Sequence, residues 1–212
     1  ANINERIVNS INPKLRHNIL VAHCSGAEVW GYGADGEVLS VPYYSLYDKK
    51  VSERQKQEFR DAINQILKEL KLKTFPTMPK DEFREESDGD PLSIMLADRG
   101  PQITFEMPNA YDLSPEQEHE IEIEVPLIHG CYDLRIPILE RAEKIFKEID
   151  LPITPRLAGT SSIDFAVAGA SKTTAVHWIL KNAGKLKGIS LNKDELTADP
   201  SLMEVWGDKY ST

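Results

Sequence analysis

Apolar positions along the chain change their period several times, and each change predicts an element. Ile19-Leu20-Val21-Ala22 is a short apolar run with polar residues on both sides, the pattern of a buried strand. After Ser25-Gly26, two alternating segments, Glu28 to Tyr32 and Glu37 to Val41, meet around Asp35-Gly36. Gly accepts the positive φ of a tight turn, and Asp tolerates it better than most residues, so the pair reads as a hairpin. From Ser52 the spacing becomes helical: Phe59, Ile63, Ile66, Leu67 and Leu70 recur on one side, and Ser52 with Gln55 has the spacing of a capping box. Residues 75–91 lose periodicity and gather Pro, Asp, Glu and Gly, which predicts a solvated loop. Leu92 to Ala97 and Gln102 to Met107 flank Asp98-Arg99-Gly100 as a second hairpin.

Ser114 to Glu124 is strongly acidic, with Ile121, Ile123 and Val125 alternating, a pattern that fits a helix start or a strand. A second amphipathic helix follows, with Pro137 near its first turn and Ile138, Ala142, Ile145 and Ile149 along one face. Ile153 to Leu157 and Ser162 to Val167 form a third hairpin turning at Ala158-Gly159. The last elements are a helix with Val176, Ile179, Leu180 and Ala183 inside and a short strand ending at Gly207-Asp208. Hairpins alternating with helices predict an α+β layer, one antiparallel sheet with two helices on one face. The chain opens in what reads as a helix end, Ile3, Ile7 and Ile11, and stops just after the last strand, so both ends read as cut.

Composition narrows the class. The 212 residues are 41% hydrophobic, enough for a real core. Lys and Arg number 25 against 34 Asp and Glu, a formal charge of −9 with no basic block, which argues against a nucleic-acid or anionic-membrane partner. No apolar run approaches the roughly 18 to 20 residues that span a bilayer, and the N-terminus has no signal-peptide pattern, so a soluble, cytoplasmic protein is expected. Cys24 and Cys131 lie outside any CxxC spacing and read as reduced thiols. His17, His23, His119, His129 and His177 show neither i, i+4 helical pairing nor nearby cysteine partners, so no zinc site is expected.

Two stretches carry the candidate chemistry. In Gly169-Ala170-Ser171-Lys172-Thr173-Thr174, Ser171 reads as an N-cap, which places the Lys172 ammonium at a helix start whose free N–H groups already favour an anion such as phosphate. Leu202 to Trp206 followed by Gly207-Asp208 sets a carboxylate just past a strand's C-terminal end, where an α/β sheet usually binds ligands. Magnesium prefers such oxygen donors.

In order, these pieces resemble a family. Cys24-Ser25-Gly26-Ala27-Glu28-Val29 with Asp35-Gly36-Glu37-Val38 resembles the asparagine-glycine-alanine turn and first cap hairpin of Cof-type phosphatases of the haloacid dehalogenase-like superfamily. Gly169-Ala170-Ser171-Lys172 resembles that family's lysine motif, and Gly207-Asp208 the start of its acidic magnesium motif. The resemblance runs from about Asn18 to the C-terminus. It implies an α+β cap, residues 27–167, attached to a partial Rossmannoid α/β core formed by residues 1–26 and 168–212. It further implies a magnesium-dependent phosphomonoester hydrolase acting on a phosphorylated sugar or similar small metabolite. Lys172 would stabilise the nucleophile and phosphoryl charge, Asp208 would hold magnesium, and Ser171, Arg99, Arg156 and the Thr160-Ser161-Ser162 turn would be candidates for substrate contact.

The departures set the expected activity. No Asp-x-Asp segment follows an apolar strand; Asp88-Gly89-Asp90 has the spacing but lies in a polar stretch. Without the aspartate that forms the covalent intermediate, this chain is expected to be inactive alone. The strands around Ile19–Ala22 and Glu204–Trp206 would then lack neighbours and call for the missing core segments or a second copy of the chain. The alternative is a non-catalytic binding or interaction module with a cap-like fold.

Overall fold

The computed structural model describes residues 8–187. The expected last strand, with Leu202, Gly207 and Asp208, and Ile3 and Ile7 of the expected first helix lie outside the described residues. In chain order the elements are a 3₁₀ turn at Val8–Ser10, α1 (Pro13–Arg16), β1 (Leu20–His23), a 3₁₀ turn at Cys24–Gly26, β2 (Glu28–Gly31) and β3 (Tyr44–Ser45). They continue with α2 (Leu46–Lys50), α3 (Glu53–Glu69), β4 (Lys73–Phe75), α4 (Lys80–Glu86), β5 (Ser93–Asp98), β6 (Gln102–Glu106) and β7 (Tyr111–Leu113). The remainder are α5 (Pro115–Glu120), β8 (Leu127–Ile128), β9 (Cys131–Asp133), α6 (Arg135–Glu148), β10 (Ile153–Ala158), β11 (Ser162–Val167) and α7 (Lys172–Lys187). The described residues form a mixed α/β fold in two compact units, one drawn from residues 8–44 and 171–187, the other from Ser45–Ala170. Residues 27–44 therefore belong with the flanking unit and not with the intervening one.

In the first unit, β1 pairs antiparallel with β2, with Val21 opposite Trp30 and His23 opposite Glu28. The second half of the expected first hairpin is not a strand: Val38 makes only an isolated bridge to Tyr32. The edges of β2 are already taken, since the sheet order is β1-β2-β3. The turn itself is as expected, with Gly36 at φ +81 and its N–H donating to Gly33 O at 3.0 Å. Along α7 the buried side chain at the helix start is Ala175, while Val176, expected inside, is 46% exposed. Ala175 lies beside Gly26, and a Cβ added at Gly26 would come within 3.1 Å of the Ala175 Cβ. Trp178 stacks on Tyr44 with ring centroids 5.2 Å apart.

The second unit is built on a five-stranded sheet of order β10-β11-β6-β5-β4. All its pairs are antiparallel except β4 with β5, which run parallel. That pair corrects the expected all-antiparallel sheet, and its cause lies in residues 75–91. Instead of a loop throughout, this stretch includes α4, which makes the crossover that a parallel pair requires. Phe83 of α4 is fully buried against Phe75, edge to face at 5.4 Å. A second, smaller sheet of order β7-β9-β8 was not expected. The ambiguous segment from Ser114 opens as α5, because Ser114 and Gln117 make a reciprocal capping box and Pro115 occupies the first turn.

The core of this unit is a relay of edge-to-face phenylalanines. Phe59 of α3 meets Phe146 of α6 at 5.9 Å, Phe146 meets Phe165 of β11 at 6.0 Å, and Phe165 meets Phe105 of β6 at 4.8 Å. The capping box of Ser52 and Gln55 starts α3 as the sequence predicts, and Phe59, Ile63 and Ile66 are its buried side. Ile138, Ala142 and Ile145 of α6 are buried, but Ile149 is 41% exposed because the helix ends at Glu148. Among the described residues no helix is long and apolar enough to cross a membrane.

Candidate functional site

The start of α7 is capped as the sequence predicts. Ser171 Oγ accepts the Thr174 backbone N–H at 3.0 Å and pairs with Thr174 Oγ1 at 2.8 Å, and Ser171 O accepts the Ala175 N–H at 3.1 Å. Lys172, the first helical residue, is exposed. The turn after β1 lies directly against this cap. Gly26, at φ +86, approaches so closely that a Cβ there would overlap the Ser171 carbonyl oxygen and sit 2.8 Å from its carbon. Only glycine tolerates both the left-handed backbone and the close approach. The Ser25-Gly26-Ala27 turn and the Ser171-Lys172 helix start, remote in sequence, are thus neighbours within one unit.

The same turn carries a cluster that the sequence reading missed. Cys24, Ser25 and Gly26 have φ values of +50, +58 and +86, so the backbone runs left-handed through the whole turn. This brings Cys24 Sγ to 3.1 Å from Nδ1 of the preceding His23. His23 Nε2 lies 3.0 Å from Oε2 of the buried Glu28, which also accepts the Trp30 indole N–H at 2.8 Å. His23 therefore does have a cysteine partner, contrary to the sequence expectation. Its only sequence signal was the adjacency His23-Cys24, without the helical or CxxC spacing that marks a metal site. The two ring nitrogens point to different partners, and among the described residues no group of three or more His, Cys, Asp or Glu is arranged to hold a metal ion.

Hydrogen bonds to Cys24 first, and then to Glu28, outweigh burial and push the His23 imidazolium up to about 9. An unfolded histidine titrates near 6.5, so the folded chain binds the extra proton between those values. The resulting stabilisation is complete below pH ~6.5 and is lost as pH rises through about 9. The thermal midpoint of the wild-type chain is expected to fall over that window. His23→Gln should flatten the slope when melting curves from pH 6 to pH 9.5 are compared; parallel slopes would refute the assignment.

In the second unit the structure brings Arg99 into a network on one sheet face. Arg99 Nη1 donates to Thr104 Oγ1 at 2.8 Å, Gln102 Nε2 donates to the same oxygen at 3.1 Å, and Thr104 donates to Asp164 Oδ1 at 2.8 Å. Arg156, opposite Asp164 in register, donates from Nη1 to Ala170 O at 3.5 Å. Its Nη2 is buried with no hydrogen-bond partner among the described residues. In the Thr160-Ser161-Ser162 turn, Ser161 Oγ accepts from Lys80 Nζ at 3.1 Å. Asp90 is committed locally: Oδ1 accepts from Leu92 N at 2.9 Å and Oδ2 pairs with Lys73 Nζ at 2.6 Å. Asp88-Gly89-Asp90 thus serves a turn, as its polar context predicts. Asp208 lies outside the described residues.

No family model matches the chain, and no curated protein matches it. Among solved structures, the chain is similar to an IMP-nucleotidase from Plasmodium falciparum, with 13% identity and a TM-score of 0.40. The match covers 88% of this chain and 38% of the nucleotidase, so the chain spans well under half the length of that protein.

Proposed function

We propose that the chain is a large part of a magnesium-dependent phosphomonoester hydrolase of the haloacid dehalogenase-like kind, acting on a phosphorylated sugar or similar small metabolite. The observation that carries this reading is the apposition of the Gly26 turn and the capped Ser171-Lys172 helix start, the two stretches on which the sequence resemblance rests. A helix N-terminus with an exposed lysine at its first position attracts a phosphoryl group through free N–H groups and through charge. Lys172 would neutralise charge on the transferring group. Asp208 has the oxygen chemistry that magnesium prefers, and the ion would add a second positive charge to the phosphoryl oxygens. Arg99 and Arg156 are candidate substrate contacts of the second unit, and Arg156 Nη2 is buried with no hydrogen-bond partner among the described residues.

Inorganic phosphate, titrated calorimetrically into the 212-residue chain with magnesium chloride present, tests the reading. Wild type is expected to bind phosphate, and Lys172→Met to weaken binding about ten- to hundredfold, the worth of one charge-assisted hydrogen bond. No phosphate binding by wild type, or an unchanged affinity in the variant, would overturn it.

A second reading is favoured by one observation. Asp88 and Asp90, the only residues with the spacing of the family's nucleophile, sit in a turn where Asp90 is engaged by Lys73 and Leu92. A non-catalytic module with this fold would bind a partner and turn over nothing. It differs from the first reading in predicting no phosphate affinity dependent on Lys172.

A further inference from the structure

The cluster at the β1–β2 turn has a chemistry that phosphate binding does not use. Its three members form a line, Cys24 Sγ to His23 Nδ1 at 3.1 Å and His23 Nε2 to Glu28 Oε2 at 3.0 Å. A carboxylate only accepts, so Nε2 must carry a hydrogen toward Glu28. Nδ1 is then left facing the sulfur, either accepting its proton or donating one to the thiolate. This is the general-base arrangement that activates a nucleophile, with the third group orienting the base. Glu28 cannot swing away easily, because its carboxylate is buried and its Oε2 also holds the Trp30 N–H at 2.8 Å.

We propose that Cys24 is a nucleophilic thiol, paired with His23 and oriented through Glu28, that reacts with small peroxides and is converted to a sulfenic acid. The sulfur attacks one peroxide oxygen, forming an S–O bond as the O–O bond breaks. The departing hydroxide takes the proton held by His23 and leaves as water. Cysteine is oxidised by two electrons and the peroxide, supplied from solution, is reduced by two. The geometry selects the size of the reagent. Cys24 is only 7% exposed and the His23 side chain beside it 35% exposed, so a small reagent reaches the sulfur more readily than a bulky one. The left-handed turn is what aims the sulfur, since it folds the Cys24 side chain back onto its own neighbour.

Cys131 is an internal reference: it is a free, half-buried thiol in β9 with the Tyr111 phenol as its neighbour. The intact chain is treated with hydrogen peroxide at pH 7.5, quenched with catalase, denatured and alkylated, and each cysteine is followed by peptide mass. Cys24 is expected to disappear about tenfold faster than Cys131, with one added oxygen as its first product. His23→Asn should bring the Cys24 rate down to that of Cys131, and Glu28→Gln should lower it less, with circular dichroism checking that each variant is folded. Equal rates for the two cysteines in wild type would overturn the proposal without recourse to any variant. So would a folded His23→Asn or Glu28→Gln chain in which Cys24 reacts as fast as before. None of these outcomes depends on whether the chain binds phosphate.

Discussion

Replacing Asp133 with alanine is expected to lower the stability of the second unit by about 3–5 kcal/mol, read as a fall in the urea midpoint of its unfolding transition. The reason is that Asp133 is almost the whole environment of a buried guanidinium. Its Oδ1 accepts from Arg135 N at 3.0 Å and Nε at 2.9 Å, and its Oδ2 from Nη2 at 2.7 Å. The two side chains are 7% and 4% exposed. Arg135 Nη1 continues to Gly159 O at 2.8 Å, so the pair ties β9, the start of α6 and the β10–β11 turn together. Removing the carboxylate leaves a buried cation with one neutral partner and the face of Tyr111, 5.3 Å away. Replacing both residues with apolar ones, Asp133→Leu with Arg135→Met, should cost less than Asp133→Ala alone, because no charge is then stranded. A double variant no better than the single one would show that the hydrogen bonds, not the stranded charge, carry the effect.

Gly26→Ala is the second large effect, and it should reach both stability and binding. The substitution places a side chain on a residue at φ +86, a left-handed backbone that costs about 1–2 kcal/mol for an L-residue. It also drives a methyl into the Ser171 carbonyl and to 3.1 Å from Ala175 Cβ, an overpacking worth about 1–3 kcal/mol more. The obstacle is backbone, which yields only if the start of α7 moves. Gly130→Ala separates the two contributions, since Gly130 has φ +84 but nothing within 4 Å of its would-be Cβ. In thermal melts Gly26→Ala should be the more destabilised, by the contact alone, and only it should weaken phosphate binding. Equal losses in the two variants would mean that the apposition at Ser171 matters little.

These two sites were not equally legible. Sequence reading found Gly26 and Ser171 as separate local signals, a turn glycine and an N-cap. Their contact is long-range, and no local pattern reports it. The Asp133-Arg135 pair was invisible, because residues two apart count as neighbours only once the chain turns from β9 into α6. Local chemistry served well wherever it was sufficient: the Ser52-Gln55 box, the hairpin at Asp98-Arg99-Gly100 and the turn at Gly159 all stand where the sequence placed them. It failed for α4, where a helix of 7 residues has the single fully buried anchor Phe83, too little for a helical period to show. It failed for Val38, whose alternation was right for a strand while the neighbouring edge was already occupied. At the Ser114 segment the sequence left a helix start and a strand both open, and the helix start is what forms. Ser114, Pro115 and Gln117 were in plain view as helix-start chemistry, and the alternation of Ile121, Ile123 and Val125 distracted from them.

The His23-Cys24 contact needed information that no residue pattern holds, the sign of φ at three successive positions. Asn, Asp and Gly advertise such a conformation, whereas Cys does not.

In the second unit, Lys50 Nζ donates to Ala168 O at 2.8 Å, a bond between residues 118 apart in sequence. The unit's polypeptide therefore leaves close to where it came in. A compact body with a shared doorway of this sort can be spliced into a host chain, or taken out of it, with the gap bridged by a few residues. The stretch from Ser45 to Ala170 thus has the form of a cassette, free to have had its own ancestry and to be exchanged for another.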